Sequence, residues 1–230
     1  MSKGAAHSLY GNPVTVGEVK VAKRSIRGRV VVIDDDVEIL AALAALLALE
    51  NYSCETYASA LAYLEVHGKQ YPGNFVPSCV LCDVKMPEVD GLELQSRLSA
   101  LDDTPLLLMS GVSGAPEAVS AFRAGALDFL IKPLDADILL NAVLKALAVS
   151  AERQRLKERK LNLAGRIATL TKRELEIARK VALGQTNPSI AQELGIALRT
   201  VKLYRQRAME KMGAKVTADL VRLADEGGLS

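Results

Sequence analysis

Val80-Leu81-Cys82-Asp83-Val84-Lys85-Met86-Pro87 is an apolar run that stops at a carboxylate and is closed by a proline. The apolar segment from Cys79 to Cys82 has the length of a buried strand, and a proline pushes the residue before it out of helical geometry. Asp83 therefore belongs at the carboxyl end of a strand. In open α/β sheets that rim is where ligands bind, because the connecting loops converge there. An aspartate at a strand end is by itself more often a turn former or a helix cap. What distinguishes this one is its company.

Three other apolar runs end in polar groups of the same kind. Val30 to Ile33 leads into Asp34-Asp35-Asp36, Leu106 to Met109 into Ser110-Gly111, and Leu127 to Ile131 into Lys132-Pro133. Adjacent carboxylates repel, so two of them converging on a buried site call for a cation. Asp36 has a plainer role, as cap of the Ala/Leu-rich helix that begins near Val37. Four strand ends thus supply an acid pair, a single acid, a hydroxyl and an amine.

The segments between them read as helices. Ile39, Leu40, Leu43, Leu46 and Leu47 form a helical stripe, and a strand over 53–57 precedes a helix over 59–67. A loop with Gly68, Pro72, Gly73 and Pro77 leads to the strand of Asp83. Helices follow from Leu92 to Leu101, from Ala115 to Ala124 and from Asp135 to Ser150. Five strand–helix units predict a parallel sheet with helices on both faces.

Residues 29 to 150 resemble the receiver domain of two-component response regulators. The run Asp83-Val84-Lys85-Met86-Pro87-Glu88-Val89-Asp90-Gly91 is similar to that family's D-x-x-M-P-x-x-D-G pattern. The resemblance implies a flavodoxin-like sheet of order 2-1-3-4-5. It makes Asp83 the phosphoacceptor, Ser110 the switch hydroxyl, Phe129 the switch aromatic and Lys132 the family's lysine. Phe129 has the alternative reading of an ordinary core aromatic. The resemblance also implies Mg²⁺, with Asp35 and Asp83 as direct ligands, Asp34 holding a coordinated water and the backbone carbonyl of Lys85 completing the site. The chemistry is consistent: a carboxylate attacking an anionic phosphoryl group needs its charge offset, and Lys132 adds a compact point charge.

The chain has 230 residues and a net charge of +2 that hides a division. Residues 1–29 carry six Lys and Arg against one acid, residues 30–150 six against seventeen, and residues 151–230 seventeen against nine. An acidic module joined to a basic one points to a polyanionic partner for the second alone. Residues 1–28 lack periodicity and read as a flexible basic arm, whose cations offer a DNA contact but are more simply a solvated tail. Residues 151–168 are charged and read as a helical linker continuing the fifth helix, with Gly165 as a hinge.

Cys79-x-x-Cys82 has no second pair or neighbouring histidine, so it reads as buried free thiols, with Cys54 the same, rather than as a zinc site. No apolar run approaches the ~20 residues of a membrane span, and the amino terminus lacks the apolar core of a signal peptide. The expectation is a cytoplasmic protein without membrane partners.

In residues 169–230, Thr171 with Glu174 three positions on is a capping box that starts a helix, and Gly184 ends it. Asn187 caps the next helix with Pro188 at its first position, Gly195 breaks it, and helices over 199–212 and 217–224 follow. This second, all-α domain resembles the LuxR-type helix-turn-helix of the NarL/FixJ class, through L-T-x-R-E at Leu170, I-A-x-x-L-G-I at Ile190, R-T-V-K at Arg199 and M-x-K-M-G-A at Met209. The resemblance puts Lys202, Leu203 and Gln206 at base edges and Arg199, Thr200, Arg205 and Arg207 near phosphates of double-stranded DNA. A solvated basic face is the plain alternative. Ala197-Leu198 and Tyr204 depart from the family pattern, and Ala197 deprives the recognition helix of a common cap.

The expectation is a transcription regulator switched by phosphorylation of Asp83 by a sensor histidine kinase. It pairs as a homodimer on phosphorylation, and it is no enzyme beyond catalysing its own phosphorylation and dephosphorylation. Two alternatives stand beside it. An aspartyl-phosphate phosphatase or phosphotransferase commonly carries D-x-D, whereas Asp83 is followed by Val84 and Lys85. A phosphorylation-independent DNA-binding regulator would have no use for the full set of Asp34, Asp35, Asp83, Ser110 and Lys132.

Overall fold

Strand and helix alternate along the first two thirds of the chain, where short continuous apolar runs give way repeatedly to stretches with the helical period of about 3.6. The computed structural model describes residues 26–67, 76–101, 104–111 and 115–229. Most of the expected basic arm, and Gly68, Pro72 and Gly73 of the expected loop, lie outside the described residues. The receiver-like part runs β1 (Arg29–Ile33), α1 (Val37–Leu49), β2 (Ser53–Tyr57), α2 (Ala60–His67), β3 (Ser78–Asp83), α3 (Gly91–Leu101), β4 (Leu106–Ser110), α4 (Ala115–Arg123), β5 (Asp128–Ile131) and α5 (Ala136–Ala168). The helical part runs α6 (Lys172–Ala182), α7 (Asn187–Leu194), α8 (Leu198–Met212) and α9 (Thr217–Glu226).

All strand pairings are parallel, in the order β2-β1-β3-β4-β5. β3 and β4 are buried along their whole length, which is why their sequences are continuous apolar runs rather than alternating ones. Successive side chains face opposite sides of the sheet. Val30, Val32, Leu81 and Leu107 pack with α1 and α5, while Val31, Ile33, Val80 and Leu108 pack with α2, α3 and α4. Asp36 caps α1, its Oδ1 accepting from the Glu38 and Ile39 amides at 2.8 and 3.4 Å. Asp135 caps α5 in the same way.

α5 runs on through the charged linker as one helix, and it differs from the sequence expectation of a hinge at Gly165. It is one helix of 33 residues, about 50 Å long at 1.5 Å per residue, and it passes through Gly165 without a break. Leu139, Val143 and Leu147 anchor its first half on the sheet. Leu163 and Ile167 enter a separate core with Ile177, Ile190, Val201, Met212 and Leu220. Apolar anchoring on both sides of Gly165 offsets the roughly 1 kcal/mol that a glycine costs inside a helix.

Candidate functional site

Backbone pairing carries the polar strand ends to one rim. Asp83 pairs with Met109, and Ser110 with Ile131, so β3, β4 and β5 terminate side by side. The Val84 amide donates to the Met109 carbonyl and the Lys132 amide to the Ser110 carbonyl, each at 2.8 Å, which fixes the first residues beyond the strands. Lys132 then enters a cis peptide bond with Pro133.

At this rim the Lys132 ammonium donates to Asp34 Oδ2 at 2.7 Å and to Asp83 Oδ1 at 2.5 Å. Asp34 is 1 % exposed and Asp83 6 %. Their remaining oxygens are also engaged: Asp34 Oδ1 accepts from the Asp36 amide at 2.9 Å, and Asp83 Oδ2 from the Lys85 amide at 2.7 Å. Partial burial works against the charge on Lys132, but the hydrogen bonds and charges of Asp34 and Asp83 outweigh it and hold the ammonium above its ordinary pKa. In ionised form two carboxylates face one ammonium, so this rim retains an uncompensated negative charge and favours a further cation.

Ser110 is buried at the end of β4, and Phe129 is half-buried on β5 against the core of the α3 and α4 side. Asp35 is exposed beside the pair instead of joining it. Among the described residues no three His, Cys, Asp or Glu side chains stand close enough to hold a metal between them. The donor set is nevertheless all oxygen, converging at one rim with excess negative charge, and that suits a hard divalent cation completed by waters. Gly91 shapes the same loop: a Cβ there would lie 2.5 Å from the Asp83 carbonyl oxygen and 2.9 Å from Leu108. The three cysteines are free, and burial pushes the Cys79 thiol up to about 12 and the Cys54 thiol to about 11, so neither is a ready nucleophile.

In the helical part, Thr171 and Glu174 form the expected capping box, at 3.3 and 2.8 Å. Glu174 is buried and accepts from Lys211 Nζ at 2.6 Å, which with the Thr171 amide bond lowers its pKa. α7 corrects the sequence reading: its cap is Thr186, whose Oγ1 accepts from the Ser189 amide, and Asn187 is already helical. Gly195 closes α7 at φ +62, a left-handed conformation in which glycine carries no Cβ penalty. α8 begins at Leu198 with no side-chain cap from Ala197.

Arg199, Lys202, Leu203, Gln206 and Arg207 are exposed on α8, and Thr200 is half-buried. Gln206 donates to Glu210 at 2.9 Å. Arg205, expected beside phosphates, is half-buried and donates to Asn187 Oδ1 at 2.6 Å and to Thr217 Oγ1 at 2.5 Å. Sequence reading missed this set and also Arg166, which donates to the Met212 carbonyl at the end of α8 at 3.0 Å. The available signal was helical period: Arg205 lies in line with Val201, Ala208 and Met212, all buried.

Comparison with known proteins follows the same division. Residues 30–144 match the response regulator receiver domain, and residues 168–224 match the bacterial regulatory proteins of the luxR family. The chain is 37 % identical over 200 residues to the transcriptional regulatory protein FixJ of Azorhizobium caulinodans, covering 86 % of this chain and 92 % of that one. It is 35 % identical over 213 residues to the transcriptional regulatory protein TdiR of Thauera aromatica, covering 91 % and 90 %. Among solved structures, the response regulator StyR superposes with a TM-score of 0.75 at 33 % identity, covering 86 % of this chain and 99 % of that one. Full-length FixJ from B. japonicum superposes with a TM-score of 0.53 at 33 % identity, covering 90 % and 100 %.

Proposed function

The chain belongs to the two-component response regulators that join a receiver domain to a luxR-family DNA-binding domain, and from that premise we propose that phosphoryl transfer to Asp83 controls its hold on double-stranded DNA. The observation that carries this reading is the pair of buried carboxylates, Asp34 and Asp83, bridged by half-buried Lys132 at the carboxyl rim of the sheet. An Asp83 oxygen attacks phosphorus on the phosphohistidine of a sensor kinase. The phosphorus–nitrogen bond breaks, histidine leaves, and an aspartyl phosphate remains.

Lys132 offsets charge on the transferred group, while the Lys85 amide orients the Asp83 carboxylate for attack. Asp34, Asp35, Asp83 and the Lys85 carbonyl would hold Mg²⁺, which when bound neutralises charge on the phosphoryl oxygens. Ser110 then donates to a phosphoryl oxygen, and Phe129 turns into the space that Ser110 leaves. This changes the surface around α4, β5 and the start of α5. The only catalysis is of the chain's own phosphorylation and dephosphorylation.

On DNA, Lys202, Leu203 and Gln206 meet base edges, and Arg199, Thr200 and Arg207 lie near phosphates. A single recognition helix buries too little surface for tight specific binding, so two chains pair on successive half-sites when phosphorylated. The protein works in the cytoplasm, where chromosomal DNA and the kinase's transmitter meet.

The test is gel-shift titration on fragments selected by the wild-type chain, with and without acetyl phosphate and Mg²⁺. The phosphodonor is expected to tighten binding by the wild type and to leave Asp83→Asn unchanged. An equal response from Asp83→Asn overturns the proposal.

A further inference from the structure

Most of the basic side chains of α8 point to solvent, and Arg205 does not. It continues the buried stripe of Val201, Ala208 and Met212, and its guanidinium reaches two other helices, α7 through Asn187 and α9 through Thr217. Both acceptors are neutral, and both sit in the first turn of their helix. A helix N-terminus carries partial positive charge, so this is a poor place for a cation chosen for its charge. It is a good place for a planar fork whose donors diverge in fixed directions, a geometry that arginine has and lysine lacks.

In a helix-turn-helix the first helix backs the one that enters the groove, so on the DNA-binding reading the crossing of α7 and α8 decides which side chains of α8 reach which base pairs. We propose that Arg205 is a positioning residue: it locks α8 against α7 and α9 and so sets the register in which Lys202, Leu203 and Gln206 meet the bases, without contacting DNA itself. The inference rests on the DNA-binding reading above. Its competitor is a phosphate contact, since the recess beside Arg205 is also lined by Lys202 and Lys215.

The experiment uses the full chain treated with phosphodonor, a duplex selected by the wild type and a scrambled duplex of the same length, across a salt titration. Arg205→Gln and Asn187→Ala are each expected to cut discrimination between the two duplexes by about ten-fold. The slope of log affinity against log salt stays at the wild-type value, and the double variant is no worse than the poorer single one. Arg205→Lys keeps the charge but loses the fork, and it behaves like Arg205→Gln.

The proposal is overturned if Arg205→Gln weakens both duplexes equally with a slope shallower by about 0.9 per arginine removed. It is overturned also if Arg205→Lys restores binding or if Asn187→Ala is silent. A wild-type chain that does not distinguish the duplexes defeats the DNA-binding reading instead. Hydrogen exchange then judges this inference alone: Arg205→Gln is expected to speed exchange of the Ser189 and Leu220 amides, and unchanged protection refutes it.

Discussion

Lys132 Nζ donates to Asp83 Oδ1 at 2.5 Å although the two residues stand 49 positions apart in the chain. The contact exists because β3 and β5 flank β4 in one parallel sheet and all three end at the same rim. The same ammonium holds Asp34, so one cation keeps two buried acids together.

That arrangement makes the three side chains unequal. Lys132→Ala removes the ammonium that two buried carboxylates share, and it is expected to cost about 2–3 kcal/mol of receiver stability together with most phosphotransfer. Asp83→Asn leaves the Lys132–Asp34 pair intact and costs less, though it abolishes phosphorylation. Urea unfolding of both variants measures the ranking, and a more stable Lys132→Ala than Asp83→Asn would contradict it.

Two charged clusters, Lys132 with Asp34 and Asp83 and Glu174 with Lys211, give the two domains opposite pH limits. Lys132 has a raised pKa, so its contribution is complete below the ordinary lysine value near 10.5 and is lost as pH rises through its higher folded value. Glu174 has a lowered pKa, so its contribution is complete above the ordinary value near 4.5 and is lost as pH falls through its lower folded value. Hydrogen exchange is expected to show the receiver sheet loosening at the alkaline end and α6 with α8 at the acid end. Lys132→Met removes the first dependence, and Glu174→Gln the second.

Gly91 is required by space rather than by backbone angle. A Cβ at that position meets the backbone of the strand carrying Asp83, which cannot give way as a flexible side chain would. Gly91→Ala is expected to destabilise the receiver by about 1–3 kcal/mol and to slow labelling by acetyl phosphate. Wild-type stability and labelling rate in this variant would show that the loop is looser than the contact implies.

The recognition helix has room for improvement at its start. Ala197 is extended and makes no side-chain hydrogen bond, so Ala197→Ser supplies the missing acceptor for an amide in the first turn. The expected gain is about 1 kcal/mol, read as a higher melting temperature. No gain would mean that the serine hydroxyl does not reach those amides.

Much of the fold was legible because the forces that write it are local. Asp36, Asp135 and Thr171 cap helices through amides two or three residues away, and the β3 and β4 runs are apolar because both faces of each strand are covered. Where local signals compete, sequence reading went astray. Thr186 and Asn187 are both good caps one residue apart, and Asn187 is bound by an arginine eighteen positions away. Gly165 looks like a hinge until Leu163 and Ile167 are seen to be packed into the same core on either side of it.

The sequence by itself determined the order of strands and helices, the polar residue at each strand end and the division of charge between two modules, since hydrophobic period, caps and composition act over a few residues. Only the tertiary structure decided that Lys132 bridges Asp34 and Asp83 while Asp35 stays exposed, and that Arg205 turns inward to Asn187 and Thr217. Those partners are brought together by strand order and helix packing. Such meetings are settled by the burial of whole faces, which no short stretch of residues records.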